Sequence, residues 1–241
     1  MGWQVYSAAQ TGKWVIVMPA YNEQAALAEL VAEWHPIVTE YAGELVLIND
    51  GSRDQTLAVA RGLQATYPRL TVIDKPNSGH GDTCRQTYQW AVESGKEWIF
   101  QTDSDRQTLP QEFGKLWRER QNHDFIFGRR GMRGDGWMRM LISRVLRLVI
   151  WLTLHEWVPD ANVPFRLMKA DKLATVLPLI SPQMFLGNAF LTVLLQKKFK
   201  IHWVPISFVN RQSGVPSVAL GRFCKIGWRV AGEFWQLRKK I

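Results

Sequence analysis

The chain is poor in cysteine, has no membrane-length segment free of helix breakers, and carries no repeat or low-complexity stretch. Each absence narrows its class. Cys84 and Cys224 are the only cysteines in 241 residues, and they form no CxxC pair. That excludes a disulfide scaffold and a thiolate zinc site, and it fits a reducing compartment. The opening residues Met-Gly-Trp-Gln show no basic segment followed by an apolar one, so no secretory signal is expected. The longest uncharged stretch, 173–196, is long enough to cross a bilayer. Pro178 and Pro182 interrupt it, with Ser181, Gln183, Gly187 and Asn188 around them. Each proline removes a backbone donor and clashes with the preceding turn, so the stretch is expected to break into two buried helices. A hydrophobic content of 46% excludes a disordered or collagen-like chain, and the length suits one large domain.

Lysine and arginine number 30 against 21 aspartates and glutamates, for a net charge of +9, and the excess is unevenly placed. Residues 1–128 carry net −5, 129–147 net +5, 148–196 are balanced, and 197–241 carry net +9. An acidic first half followed by a basic remainder predicts contact with an anionic partner: a phosphorylated small molecule, a membrane surface or nucleic acid. Nucleic acid is the weakest of these, because the chain shows no RNP, zinc-finger or helix-turn-helix signature.

Short apolar runs alternate with amphipathic segments through the first half. Strands are predicted at 14–18, 45–48, 70–73, 98–101 and 125–127, with helices at 23–40, 53–66, 81–93 and 110–120. Ser52 and Gln55 read as a capping box for the second helix. This alternation predicts an α/β fold with a mostly parallel sheet, whose ligands bind beyond the carboxyl ends of the strands.

Those strand ends carry the signal. The first four runs are followed by Pro19-Ala20-Tyr21-Asn22-Glu23, Asn49-Asp50-Gly51-Ser52-Arg53-Asp54, Pro76-Asn77-Ser78-Gly79-His80-Gly81-Asp82 and Asp103-Ser104-Asp105-Arg106-Gln107. Asp103 and Asp105, one residue apart at the end of a buried strand, can reach one hard divalent cation, and Mg²⁺ takes a few carboxylates together with substrate phosphates. Gly79-His80-Gly81 is not a dinucleotide fingerprint. Cys84 stands where the third glycine belongs, and the segment follows the third strand, whereas the fingerprint follows the first.

As a set, PAYNE (19–23), NDGSRDQT (49–56), NSGHG (77–81), DSDRQ (103–107), FGRR (127–130), DANVPFRLM (160–168) and NRQSGVPS (210–217) resemble the inverting family 2 glycosyltransferases of the GT-A fold. The resemblance is strongest to enzymes of the dolichyl-phosphate mannose and polyprenyl-phosphate glucose synthase type. It implies that Pro19, Tyr21, Glu23 and Asp50 bind the nucleotide of a nucleotide-diphosphate sugar, together with Asp103, Ser104 and Asp105. It implies that Asp103, Asp105 and Gln107 surround Mg²⁺ or Mn²⁺. Arg211 would contact the donor phosphates from a mobile loop and Asp160 would be catalytic. Arg130, Arg139, Ser143, Asn162 and Arg166 would hold the acceptor. The chain departs from the family pattern at Asn49, at Gln55 and at Asn188, which stands where many relatives have an acidic residue. An amide there offers no general base. A phosphate acceptor, already anionic, needs little help from one, whereas a sugar hydroxyl does.

In the basic half, Arg139, Ser143 and Arg147 recur every four residues on an apolar helix expected at about 137–157. The pattern suits a helix between the cleft and lipid, or a core helix with a solvated basic face. A basic, tryptophan-bearing amphipathic helix is expected at 219–241, beyond a catalytic domain at 1–218. It could lie on an anionic membrane or pack on that domain. The resulting expectation is a metal-dependent glycosyltransferase acting on a polyprenyl monophosphate, peripheral on the cytoplasmic face of a membrane. A membrane protein is a further candidate partner. The alternative is transfer to a soluble or cell-envelope sugar hydroxyl.

Overall fold

The computed structural model describes residues 3–6, 12–131, 137–182, 184, 186–209, 232–233 and 235, and only the backbone of 137–143. Its elements run β1 (Gln4–Tyr6), β2 (Trp14–Ala20), α1 (Leu27–Glu40), β3 (Glu44–Asp50), α2 (Thr56–Leu63), β4 (Leu70–Lys75), α3 (His80–Glu93) and β5 (Trp98–Thr102). There follow α4 (Phe113–Glu119), β6 (Phe125–Arg130), α5 (Trp137–Leu154), β7 (Phe165–Lys169), α6 (Ala170–Ala174), α7 (Gly187–Phe199) and β8 (His202–Ile206). The described strands form one sheet in the order β1-β4-β3-β2-β5-β7-β6-β8.

The central strands are apolar because helices cover both faces. All seven residues of β2 and all seven of β3 are buried, as expected of parallel strands with no solvated side. Trp34 of α1 anchors one layer, with ring centroids 5.6 Å from Phe100 of β5 and 6.2 Å from Phe165 of β7. Strands β2, β3, β4 and β5 pair in parallel. Strand β7 runs antiparallel to both β5 and β6, while β8 is parallel to β6. Six strands therefore end on one edge, and the reversed β7 begins there.

The fold class is the one the alternating pattern predicts, and the boundaries show where tertiary contacts intervene. Helix α1 starts four residues later than expected, because Glu23 N–H donates to Thr56 Oγ1 (2.9 Å) and holds 23–26 in a turn. Helix α2 is shorter at both ends, and its start corrects the capping-box assignment. Asp54 Oδ1 accepts from Thr56 N–H (2.9 Å), while the Ser52 hydroxyl accepts instead from Asn22 N–H (3.0 Å). The uncharged stretch 173–196 breaks as its prolines require: α6 ends, a short 3₁₀ turn covers Leu177–Leu179, and α7 follows, buried from Gly187 to Leu195. No described helix is long and apolar enough to cross a membrane.

Candidate functional site

The strand ends converge on a cleft of about 500 Å³. Its lining includes Pro19, Tyr21 and Glu23 after β2, Asp50 closing β3, Asn77, Gly79 and His80 after β4, and Asp103, Ser104 and Asp105 after β5. Asn162 joins them because reversed β7 delivers its preceding loop to the same edge. Tyr21 is 43% exposed, an aromatic ring left at the mouth of the cleft.

The loops after β2 and β3 brace each other. Arg53 N–H donates to Asn22 Oδ1 (2.9 Å), Gln55 N–H to Gln24 Oε1 (2.8 Å), and Gln24 N–H to Asp54 Oδ2 (3.3 Å). Burial would raise the Asp54 pKa, but the hydrogen bonds from Thr56 and Gln24 outweigh it and hold the carboxyl below its ordinary value.

Asp50 has a second task besides lining the cleft. Its carboxylate is paired with the buried Lys75 ammonium and accepts from Ser78 N–H (2.9 Å) and Gly79 N–H (3.1 Å). Lys75 Nζ also lies within hydrogen-bond distance of Pro76 O (2.9 Å), Ser78 Oγ (2.8 Å) and Thr83 Oγ1 (3.1 Å), which share its remaining protons. One buried ion pair thus folds the 76–79 loop against the end of β3. Gly51 is required beside it: its φ is +59°, and a Cβ there would meet Asn77 N at 2.6 Å.

Asp103 is oriented from behind by a chain of buried amides and a phenol. Gln101 Nε2 donates to Asp103 Oδ1 (2.9 Å), and Tyr88 Oη lies 3.2 Å from Gln101 Oε1 and 3.1 Å from Asn188 Oδ1. Asn188 Nδ2 lies 3.5 Å from Cys84 Sγ. A hydroxyl has one proton for two acceptors, so Tyr88 serves one amide oxygen at a time, and Gln101, Tyr88, Asn188 and Cys84 form one buried polar cluster behind Asp103. Burial raises the Tyr88 pKa, which keeps it a neutral donor. Asn188 reaches this position because α7 crosses α3 closely; a Cβ on Gly187 would meet Gly81 O at 3.2 Å. His80 Nε2 sits 3.7 Å from both Asp103 Oδ1 and Cys84 Sγ. The Cys84 sulfur first, and Asp103 as well, hold the imidazole above its ordinary pKa.

Four residues expected at the site have other partners. Arg166 is fully buried, and its guanidinium donates to Val163 O (2.6 Å), Asn188 O (3.0 Å) and Ala161 O (3.2 Å). It is a scaffold for the 161–163 loop, which corrects its assignment to acceptor contact. Burial pulls its pKa down, opposed by Tyr88, Cys84, Asp103 and Asp160. Gln107 is buried and its Nε2 donates to Val209 O (3.1 Å), tying the Asp105 turn to the chain after β8. Arg130 grips Asp160 in a two-point pair, Nε–Oδ2 2.6 Å and Nη2–Oδ1 2.7 Å. A candidate acceptor ligand and a candidate catalytic carboxylate are therefore bound to each other. Arg139 and Ser143 lie in the first half of α5, with side chains outside the described residues, as is Arg211.

Sequence reasoning passed over Lys75, Tyr88 and Gln101. Lys75 reads as the polar end of a strand and Tyr88 as one more residue of an amphipathic helix; their roles depend on partners 25 and 13 positions away.

Comparison with known proteins agrees with this architecture. The family model described as "Glycosyl transferase family 2" matches residues 15–187. Polyprenol monophosphomannose synthase of Mycolicibacterium smegmatis is 22% identical over 96% of this chain and 89% of that protein. Undecaprenyl-phosphate mannosyltransferase of Micrococcus luteus is 24% identical over 85% of this chain and 87% of that protein. The undecaprenyl-phosphate 4-deoxy-4-formamido-L-arabinose transferase of Pseudomonas aeruginosa is 32% identical over 56% of this chain, which spans only 40% of that protein. Among solved structures, Mycobacterium tuberculosis glucosyl-3-phosphoglycerate synthase bound to Mn²⁺, UDP and glucosyl-3-phosphoglycerate superposes with TM-score 0.70. It is 16% identical, with 94% of this chain and 80% of that one covered. A mostly parallel sheet with a cleft at its carboxyl edge, strand-end motifs in family order and a family match spanning β2 to α7 lead to one assignment: the chain belongs to glycosyl transferase family 2 and is a GT-A-type glycosyltransferase.

Proposed function

We propose that the protein moves a sugar from a nucleotide-diphosphate sugar to a polyprenyl monophosphate at a membrane surface. The observation that carries this reading is the convergence of Asp103 and Asp105 with Tyr21, Asp50 and Asn162 on one cleft. Its donor side has the all-oxygen carboxylate chemistry that a hard divalent ion requires. Asp103 and Asp105 would hold Mg²⁺ or Mn²⁺; Gln107, bonded through Nε2 to Val209, would stand behind them. When bound, the ion supplies charge stabilisation to the departing nucleoside diphosphate.

The protein's own residues do the remainder. The Asp50–Lys75 pair shapes the loop that walls the nucleotide pocket, and Tyr21 offers a face for the base. The Gln101–Tyr88 chain keeps Asp103 turned toward the cleft. Asn188 provides no base and Asp160 is clamped by Arg130, an arrangement that suits an acceptor already anionic. The acceptor phosphate would meet the basic first half of α5, with Arg139 and Ser143 in the lead and Arg130 behind them. Arg211 would close on the donor phosphates.

Further along α5 the helix has two faces. Ile150 and Leu154 are buried, whereas Val145, Leu148, Trp151, Leu152 and nearby Trp157 are 48–63% exposed. Arg144 is exposed among them, and the Arg147 guanidinium lies 5.9 Å from the Trp157 ring centre. Exposed aliphatic and indole groups beside arginines fit the interface of an anionic membrane. In this proposal the contact is with the cytoplasmic leaflet.

A screen of UDP- and GDP-sugars against a polyprenyl phosphate, with product mass as readout, tests the proposal. The expected product is a lipid-linked monosaccharide that forms only with Mg²⁺ or Mn²⁺ present. Transfer to sugar hydroxyls with polyprenyl phosphate inert would overturn it.

A further inference from the structure

At the opposite edge of the sheet, where β6 and β8 begin, three potential ligands gather that the reaction does not use. Glu119 ends α4, His123 lies in the turn before β6, and His202 opens β8. Among the described residues, these three bring one ligand atom each to within 4.8 Å of one another. Glu119 Oε2 is 3.8 Å from His202 Nε2, and the two imidazole rings stack with centroids 4.1 Å apart and planes 3° from parallel. The backbone fixes the cluster. Glu119 O accepts from Asn122 N–H (3.0 Å) and His123 N–H (3.2 Å), and His202 pairs with Ile126 of β6. Arg120 does not compete for Glu119, because its guanidinium bonds Trp117 O (2.7 Å) and lies over the Trp117 ring.

We propose that Glu119, His123 and His202 form a binding site for a transition-metal ion of the Zn²⁺ class, separate from the sugar-transfer cleft. Two imidazoles and one carboxylate are a common three-ligand set for Zn²⁺, with water completing the tetrahedron. The cleft lies at the other end of β6 and β8, roughly 17–20 Å away at the rise of a strand. Neither Asp103 nor Asp105 can share the ion.

The geometry needs a small adjustment. Zinc bonds of about 2.0–2.1 Å place tetrahedral ligand atoms about 3.3 Å apart. Stacked imidazoles keep their in-plane lone pairs in two parallel planes about 4 Å apart, so one ring must turn about Cβ–Cγ to converge with the other. The side chains of Glu119 and His202 are 39% and 37% exposed and His123 is exposed, so these rotations meet little packing. Bound metal would clip edge strand β8 to the α4–β6 turn. The opposite end of β8 leads to Val209, which Gln107 holds beside the Asp105 turn. The site is structural in this reading, and the ion takes no part in sugar transfer.

The test is a Zn²⁺ titration of the full-length protein against a chromophoric chelator, in wild type, His202→Ala, His123→Gln and Asp105→Ala, with circular dichroism to verify folding. Imidazole NMR signals report which rings respond. The expected result is one Zn²⁺ equivalent retained in Asp105→Ala and bound at least tenfold more weakly in either histidine variant, with shifts of the His123 and His202 rings. The histidine variants should keep wild-type binding of Mn²⁺ with UDP. Unchanged Zn²⁺ affinity in the folded His123→Gln protein, or binding without a response from these rings, would overturn the proposal.

Discussion

The two edges of the central sheet each bury a lysine–carboxylate pair, and the pairs serve different ends. At the amino edge Lys96 Nζ meets Glu44 Oε1 at 2.8 Å, donates to Gly12 O (2.9 Å), and Glu44 accepts from Gly12 N–H (2.8 Å). That pair fastens the chain entering β2 to its neighbours and faces no cavity among those described. At the carboxyl edge Lys75 and Asp50 fold the 76–79 loop, and the same aspartate lines the cleft. Buried ion pairs recover little more than their own desolvation, so neither is chiefly a source of stability. What each supplies is a defined backbone path. At one edge that path closes the fold; at the other it builds the wall of a binding site.

The strongest way to separate the edges is Asp105→Ala. Turnover should fall by at least about 10²–10³-fold, the scale lost when a transition-state charge stabiliser is removed. Loss of its hydrogen bond from Gln107 N–H should cost about 1 kcal/mol of stability. Turnover within tenfold of wild type, measured with saturating donor and Mn²⁺, would remove Asp105 from the donor site.

Next come the two lysines. Lys75→Met and Lys96→Met each leave a buried carboxylate unpaired and should each cost about 3–5 kcal/mol in urea unfolding. Calorimetric binding of UDP or GDP with Mn²⁺ should weaken in folded Lys75→Met and remain at wild-type level in Lys96→Met. Equal weakening in both would erase the contrast drawn between the edges.

Tyr88→Phe has a smaller effect and a more specific one. It keeps the buried ring and removes the hydroxyl between Asn188 and Gln101, at about 1 kcal/mol of stability. If that hydroxyl orients Asp103, Mn²⁺ affinity by spin-resonance titration should drop on the order of tenfold, as when a group supporting a metal ligand is lost. Unchanged affinity would reduce the chain to core packing.

The least effect is expected at Asp54→Ala, which removes the side-chain acceptor of the turn leading into α2 and should cost about 1 kcal/mol at pH 7. The folded-state pKa of Asp54 lies below its ordinary 3.8, so its contribution is complete above that value and disappears as pH falls through the lower, folded one. The stability gap between wild type and variant should close only under such acid conditions. A gap that instead closed between pH 7 and 5 would mean another group is responsible.

Much of the site was legible because its chemistry sits at a fixed place in a repeating pattern. An apolar run followed by turn-forming and acidic residues marks a strand end wherever it occurs. Pro19, Tyr21, Asp50, Asp103 and Asp105 were found that way and all line one cleft. Strand β7 and its direction were not legible, since Phe165–Lys169 is short and two of its five residues, Arg166 and Lys169, are cationic. That reversal carries Asn162 to the cleft. Arg166 shows the limit in another form. A motif match places it beside ligand-binding residues, but three backbone carbonyls facing its side chain make it structural, and carbonyl positions leave no trace in residue order. Ser52 read as the cap of α2, whereas Asp54 forms the turn that leads into it. A backbone N–H from Asn22, thirty residues away, engages the Ser52 hydroxyl instead.

The sequence by itself determined the fold class, the family and the edge of the sheet where donor chemistry belongs. These follow from local periodicity and from residue types that tolerate turns or carry charge. Tertiary structure alone decided which polar side chains face the cleft and which hold it in shape. Asp50 does both, Arg130 and Asp160 hold each other, and Tyr88 supports a carboxylate from the core. The physical reason is that burial and pairing belong to groups brought together from distant parts of the chain. A charged residue acts on a ligand only to the extent that its own protein has not already engaged it.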